Sequence, residues 1–304
     1  MIEFIKPGTN IDFIRFRKTA IAISLTLILV GMGSLVVKGG PSYGIDFAGG
    51  LQMHVRLNPD VSIGDMRQTA DRIGVGDVQV QGFEGQPGEF LLRVASAGDQ
   101  DLTSGTAERM REALQKEYGE RGFELMSTDS VGPRVGHDLR QRAILSVLLA
   151  TIAMGIYIAF RFDARFGVGA AVALFHDVLI TVGALSLFNY EVDLTIVAAI
   201  LTVIGYSVND TVIISDRIRE NMLATKRVDL AQIINRSINE TLSRTVLTTG
   251  ATLLVVVALF IFGGPVIHGF AFSLIVGFIV GTYSSIFIAS PVVEWWAHRA
   301  GRAA

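Results

Sequence analysis

The chain has 304 residues, 50% of them hydrophobic and 18% charged, with a net charge of −2 and no cysteine. Soluble domains carry nearer a quarter charged residues, so this balance points to a membrane protein. The near-neutral charge, with no basic patch interleaved with aromatics, gives no footprint for nucleic acid, and the missing cysteines exclude disulfides, thiol catalysis and cysteine-based metal sites.

Residues 1–18 form an amphipathic segment ending in Arg15, Arg17 and Lys18, and the apolar run 19–37 follows. At about 1.5 Å per residue such a helix crosses a hydrocarbon core of about 30 Å. The run is longer than the apolar stretch of a secretory leader, and VVKGGP after it offers no A-x-A-like cleavage site. It reads as an uncleaved first span.

From 39 to 137 charged residues return and no apolar run is long enough to span. Residues 51–57 (LQMHVRL) alternate like a strand, and Ser62 with Asp65 resembles a capping box opening a helix to Ile73. Residues 78–81 and 90–95 read as strands around a turn at 82–88, 103–118 as a helix and 123–130 as a final strand. The order β-α-β-β-α-β predicts a ferredoxin-like domain.

Further spans are predicted at 140–160, 166–188, 194–215, 246–262 and 270–293, with a polar loop at 216–244 and a tail at 294–304. The fold class is thus an α-helical polytopic membrane protein with six transmembrane helices, plus an α+β ferredoxin-like domain after the first. With a cytoplasmic N-terminus, the inside segments carry Lys6, Arg15, Arg17, Lys18, Arg161, Arg165, Arg217, Arg219, Lys226, Arg227, Arg236, Arg299 and Arg302. The outside loops 189–193 and 263–269 carry no Lys or Arg. By the positive-inside rule both termini are cytoplasmic and the 39–137 domain faces away from the cytoplasm, with Trp295 and Trp296 anchoring the last helix.

Ionisable groups stand at membrane depth in three places: His176 with Asp177 in the third span, Asp210 beside Asn209 in the fourth, and Arg244 at the start of the fifth. Facing lipid, these sites would together cost roughly 10 kcal/mol, comparable with a domain's stability. They are therefore expected to face the bundle interior or water. An Asp210–Arg244 pair between consecutive helices is the most economical arrangement. Burial favours the neutral acid and a nearby guanidinium favours the carboxylate, so helix shifts that add or remove the arginine would make the acid hold or release a proton. Asp177 is open between a second carrier and a structural acid, and His176 reads first as a neutral histidine donating to a helix neighbour.

The segment 277–281 (GFIVG) allows close helix approach. Thr195, Thr202, Ser207, Thr211 and Thr248 either hydrate a polar interior or bond their own backbone. Phosphate-loop, zinc and dinucleotide motifs are absent, so no cofactor or metal is expected and ATP is not the energy source within this chain. The proton gradient is the alternative.

Several stretches resemble one family. YGIDFAGG (43–50) is similar to its G-I-D-F-x-G-G signature, with Ala48 where a hydroxyl residue is frequent. SVGPRVG (130–136) is similar to its V-G-P-x-V-G element. GYSVNDTVIISDRIREN (205–221), with Ser215 where an aromatic is usual, and NRSINETLSRTVLTT (235–249) are similar to its fourth- and fifth-span motifs, and IDFIRFR (11–17) also fits. The family is the SecD/SecF export membrane subunits of the resistance-nodulation-division superfamily. The resemblance implies a half-sized, six-span inner-membrane subunit without catalytic activity. Its implied partners are SecD, the SecYEG translocon, YajC, unfolded client polypeptide and the lipid bilayer. It also implies proton-driven assistance to export and a periplasmic 39–137 domain that handles the emerging chain. Asp210 and Arg244 match the family's relay motifs, whereas Asp216 reads as a salt-bridging or capping acid at the membrane exit. Gly44, Asp46, Gly49 and Gly50 read as a hinge, since glycines accept unusual backbone angles. A non-transducing scaffold and a small-molecule efflux subunit remain the alternatives.

Overall fold

The computed structural model describes residues 9–75, 78–83, 86–95, 104–119, 122–225 and 229–299. In chain order these form α1 (Arg17–Val37), α2 (Ile45–Ala48), β1 (Gly50–Arg56), α3 (Ile63–Ile73), β2 (Val78–Phe83), β3 (Gln86–Ala95), α4 (Ser104–Tyr118) and β4 (Glu124–Val131). Then come α5 (Pro133–Arg161), α6 (Ala164–Leu187), α7 (Leu194–Ala224), α8 (Leu230–Phe262), α9 (Pro265–Ser284), a π-helical turn (Ser285–Ala289) and α10 (Ser290–Arg299). Lys6, Lys226, Arg227, Arg302 and the start of the helix expected at 103 lie outside the described residues.

The chain divides into two compact units. The first holds residues 1–42, 145–191 and 195–304. Among the described residues, six helices are long and apolar enough to cross a membrane: Ile14–Val37, Pro133–Arg161, Ala164–Leu187, Leu194–Ala224, Leu230–Phe262 and Val266–Ala297. The last runs unbroken through the π turn, where one extra residue per turn re-aims the side chains that follow.

Small residues set the closest helix approaches in this unit. A Cβ on Gly31 of α1 would stand 2.7 Å from Gly183 Cα of α6, and one on Gly277 of α9 would overlap the Val203 side chain of α7. Helix α7 stays helical beyond residue 215 to Ala224, and α8 begins at Leu230, so both extend into the polar stretch between them. Glu240 joins their polar ends, accepting from Arg217 Nε at 2.6 Å, Arg236 Nε at 2.9 Å and Asn221 Nδ2 at 2.8 Å. Asn235 and Asn239 of α8 hold the segment before α1 through the Ile14 and Ile11 backbone N–H groups, at 3.0 and 2.9 Å. Arg17 pairs with the buried Glu294.

The second unit, residues 43–144 with 192–194, contains a four-stranded sheet in the order β2-β3-β1-β4, antiparallel throughout. Leu51, Met53 and Val55 of β1 alternate into a core with Leu92 of β3, Met66 of α3, and Met110 and Leu114 of α4. The capping box at Ser62–Asp65 is formed reciprocally, and α3 ends at Gly74 in the left-handed region that favours glycine (φ 69°). Strand β3 begins at Gln86, four residues earlier than alternation alone placed it, because Glu89 pairs with Arg56 of β1 and Gln86 with Phe83 of β2. Every residue of β4 is exposed or half-buried.

Candidate functional site

One set of buried polar groups in the first unit lies where α6, α7 and α9 face one another. Asp177 on α6 is fully buried, and its Oδ2 accepts from Ser207 Oγ of α7 at 2.7 Å and from Ser284 Oγ of α9 at 2.9 Å. Its Oδ1 lies 3.0 Å from His176 Nδ1, while His176 Nε2 lies 2.9 Å from Ser24 Oγ of α1. Ser24 donates to Tyr283 Oη at 3.1 Å, Tyr283 donates to the Ala20 carbonyl at 2.6 Å, and the Tyr283 ring stacks on His176. The close approach at Gly281 makes this possible, since a Cβ there would stand 3.0 Å from Ser207 Cβ and 3.5 Å from the Asp177 carboxylate.

Asp210 lies three residues beyond Ser207 on α7, about one helical turn, and is 1% exposed. Its Oδ2 accepts from Thr282 Oγ1 of α9 at 3.2 Å, and Thr282 in turn lies 2.9 Å from Thr249 Oγ1 of α8. Asp210 Oδ1 has no hydrogen-bond partner among the described residues. A buried carboxylate oxygen without a donor is costly unless the group is protonated or hydrated. On the same helix Thr211 meets Ser285 of the π turn at 2.8 Å. Beside them a cavity of about 10 Å³ is lined by Thr211, Ser215, Ser285, Ser290 and neighbouring apolar groups, close to the size of one water.

Arg244 differs from the sequence expectation. It is exposed on α8, and no ion pair joins it to Asp210 among the described residues. Spacing along α8 explains this: Thr245 and Thr249 take the inward positions, which leaves residue 244 on the outer face with Thr248. Asn209 is likewise exposed on α7, beside rather than within the cluster. Asp216 is exposed and makes no ion pair among the described residues; the neighbouring Arg217 makes the inter-helix contact instead.

The glycine signature lies in the second unit. Gly49 (φ 76°) and Gly50 (φ 140°) occupy backbone conformations that favour glycine, and a Cβ on Gly49 would stand 2.9 Å from Pro133 Cα. Gly44 is extended, a conformation open to any residue, and donates its N–H to the Val192 carbonyl at 3.0 Å. Asp46 accepts from the Leu194 N–H at 3.0 Å, an acid placed at the first residue of α7.

Sequence reading missed Ser24, Thr249, Thr282, Tyr283, Ser284 and Glu240 as members of these networks. The run TYSSIFIAS (282–290) in an otherwise apolar helix was the available signal.

Residues 110–299 match the family profile described as protein export membrane protein SecD/SecF, C-terminal. A protein translocase subunit SecF from Rhodothermus marinus is 45% identical over 292 residues, covering 94% of this chain and 93% of that protein. One from Magnetococcus marinus is 47% identical over 294 residues, covering 96% and 94%. The crystal structure of SecDF, a translocon-associated membrane protein from Thermus thermophilus, superposes with a TM-score of 0.85 at 35% identity over 96% of this chain. A second SecDF structure, in a super-membrane-facing form, gives 0.71 at 34% identity over 99%. The chain spans 39% and 40% of the lengths of those two SecDF chains. With its profile match, its relatives and its six apolar helices, this chain belongs to the SecD/SecF family of protein export membrane proteins.

Proposed function

We propose that the chain is the SecF-type subunit of a SecDF complex that draws on the proton gradient to assist polypeptide export. The observation that carries this reading is Asp210: a carboxylate 1% exposed inside a membrane helix, one oxygen on Thr282 and the other without a donor among the described residues. Such a group is stable as a neutral acid and costly as an unpaired anion, so its charge depends on what water or cation reaches it. Arg244, exposed one helix away, is the cation that helix movement brings closer or withdraws. Asp177, His176 and the exposed Asn209 are further relay positions.

A SecD-type subunit completes the membrane unit in this reading. Exposed Asn209, Arg244 and Thr248 on adjacent helices support it, because polar side chains at membrane depth call for protein or water rather than lipid. The α-helices and split strand order of the second unit support a ferredoxin-like domain at 39–137. It would lie on the periplasmic side with the termini in the cytoplasm, and the segment 44–50 would be its hinge to α1. Client polypeptide, SecYEG and YajC are the partners this role requires.

The test is Asp210→Asn in the full chain, assembled with SecD. The reading expects normal assembly and loss of the gradient-dependent part of export. Unchanged export that stays sensitive to the gradient would leave a scaffold role instead.

A further inference from the structure

Counting hydrogens along the Asp177 network leads to a second proton site. A tyrosine hydroxyl has one hydrogen, and that of Tyr283 is committed to the Ala20 carbonyl. Tyr283 therefore accepts from Ser24, which commits the one Ser24 hydrogen. Ser24 must then accept from His176 Nε2, so Nε2 carries a hydrogen. The remaining contact, His176 Nδ1 to Asp177 Oδ1 at 3.0 Å, would join two lone pairs unless another proton lies between them. That proton belongs either to a carboxylic acid donating to a neutral ring or to an imidazolium donating to a carboxylate. In both forms the dyad is neutral.

The surroundings leave the counter-charge to this proton. Asp177 Oδ2 faces the hydroxyls of Ser207 and Ser284. The titratable groups around the dyad are Tyr283 on α9 and Asp210, about one turn from Ser207 on α7. On α1 the cations Arg17 and Lys18 stand about two turns before Ser24, and on α6 Arg165 stands about three turns before His176.

We propose that His176 and Asp177 form a proton-carrying dyad whose deprotonation reverses the hydrogen-bond chain linking α6 to α1 and α9. When the proton passes to water, the dyad goes from neutral to a single negative charge. The neutral imidazole then donates from Nδ1 to the carboxylate, and Nε2 becomes an acceptor. Ser24 turns its hydrogen to Nε2, and Tyr283 loses its donor. The Ser24–Tyr283 bond between α1 and α9 is thus made in one protonation state and broken in the other. The dyad rests on the proton-coupled reading above for its place in the cycle, but its proton is counted from geometry alone.

The test is ¹⁵N NMR of histidine-labelled full chain in lipid bilayers, titrated with pH and assigned by the signal lost in His176→Gln. Expected is an Nε2-protonated ring at low pH that switches to the Nδ1–H tautomer as pH rises. In Asp177→Asn, whose amide donates to Nδ1, the ring should stay Nε2-protonated throughout. A wild-type ring that is Nδ1–H with bare Nε2 at every pH would overturn the proposal, whether or not the Asn variant folds. Repeating the titration in Asp210→Asn separates the two claims. An unchanged His176 switch with export no longer gradient-dependent supports both, whereas a wild-type ring that does not switch, beside the same export loss in Asp210→Asn, sinks the dyad alone.

Discussion

Ser207 of α7 donates to Asp177 of α6 at 2.7 Å, and the same helix carries Asp210 to Thr282 of α9 only three residues later. At about 1.5 Å of rise per residue, the two acids are served by one short stretch of α7 and one short stretch of α9. Movement of either helix therefore changes the surroundings of both.

Replacing Ser207 by Ala should leave Asp177 short of one buried donor. The expected loss is about 1–3 kcal/mol of stability, read by unfolding of the purified chain in detergent or bilayers. Ser207→Ala with Ser284→Ala should be non-additive, since both hydroxyls serve one oxygen.

The α1–α6 contact rests on two glycines facing each other. Gly31→Ala should cost about 1–3 kcal/mol by overpacking, because its Cβ would stand 2.7 Å from backbone of Gly183. Gly33→Ala, with nothing within 4 Å of its Cβ, should be close to neutral. Thermal unfolding of the two variants side by side checks this contrast.

Arg244 is exposed and unpaired with Asp210, so Arg244→Ala should shift the stability of the separate chain by no more than about 0.5 kcal/mol. Export driven by the proton gradient should fall sharply in the same variant. A large stability loss without an export defect would mean that the arginine is structural.

In the second unit, hydrogen bonds from Ser62 hold the Asp65 carboxyl below its usual range. A group depressed in the folded state stabilises it above the unfolded value, near 3.9, and that contribution fades as pH falls through the lower folded value. The stability gap between wild type and Asp65→Asn should therefore be constant at neutral pH and close on strong acidification, as followed by amide exchange along α3.

The six apolar helices were legible because runs of about twenty apolar residues have few other uses, and the capping box at Ser62 and Asp65 because its spacing is local. The site was half legible. Asp177 and Asp210 stand out as acids in apolar helices, but their partners Ser24, Thr282 and Ser284 are hydroxyls, which serve their own backbone as readily as a neighbour. Which face Arg244 takes depends on the rotation of α8, fixed by packing of residues such as Ile234, Ile238 and Val256 rather than by the motif around it. The π turn at Ser285–Ala289 gives no sequence signal, yet its first residue, Ser285, meets Thr211 of α7.

The account turns on whether Asp210 carries protons. The most direct measurement is gradient-driven proton uptake by vesicles holding the full chain with its SecD-type partner, wild type against Asp210→Asn. The account predicts uptake with the wild type and the level of empty vesicles with the variant. Equal uptake by both would contradict it.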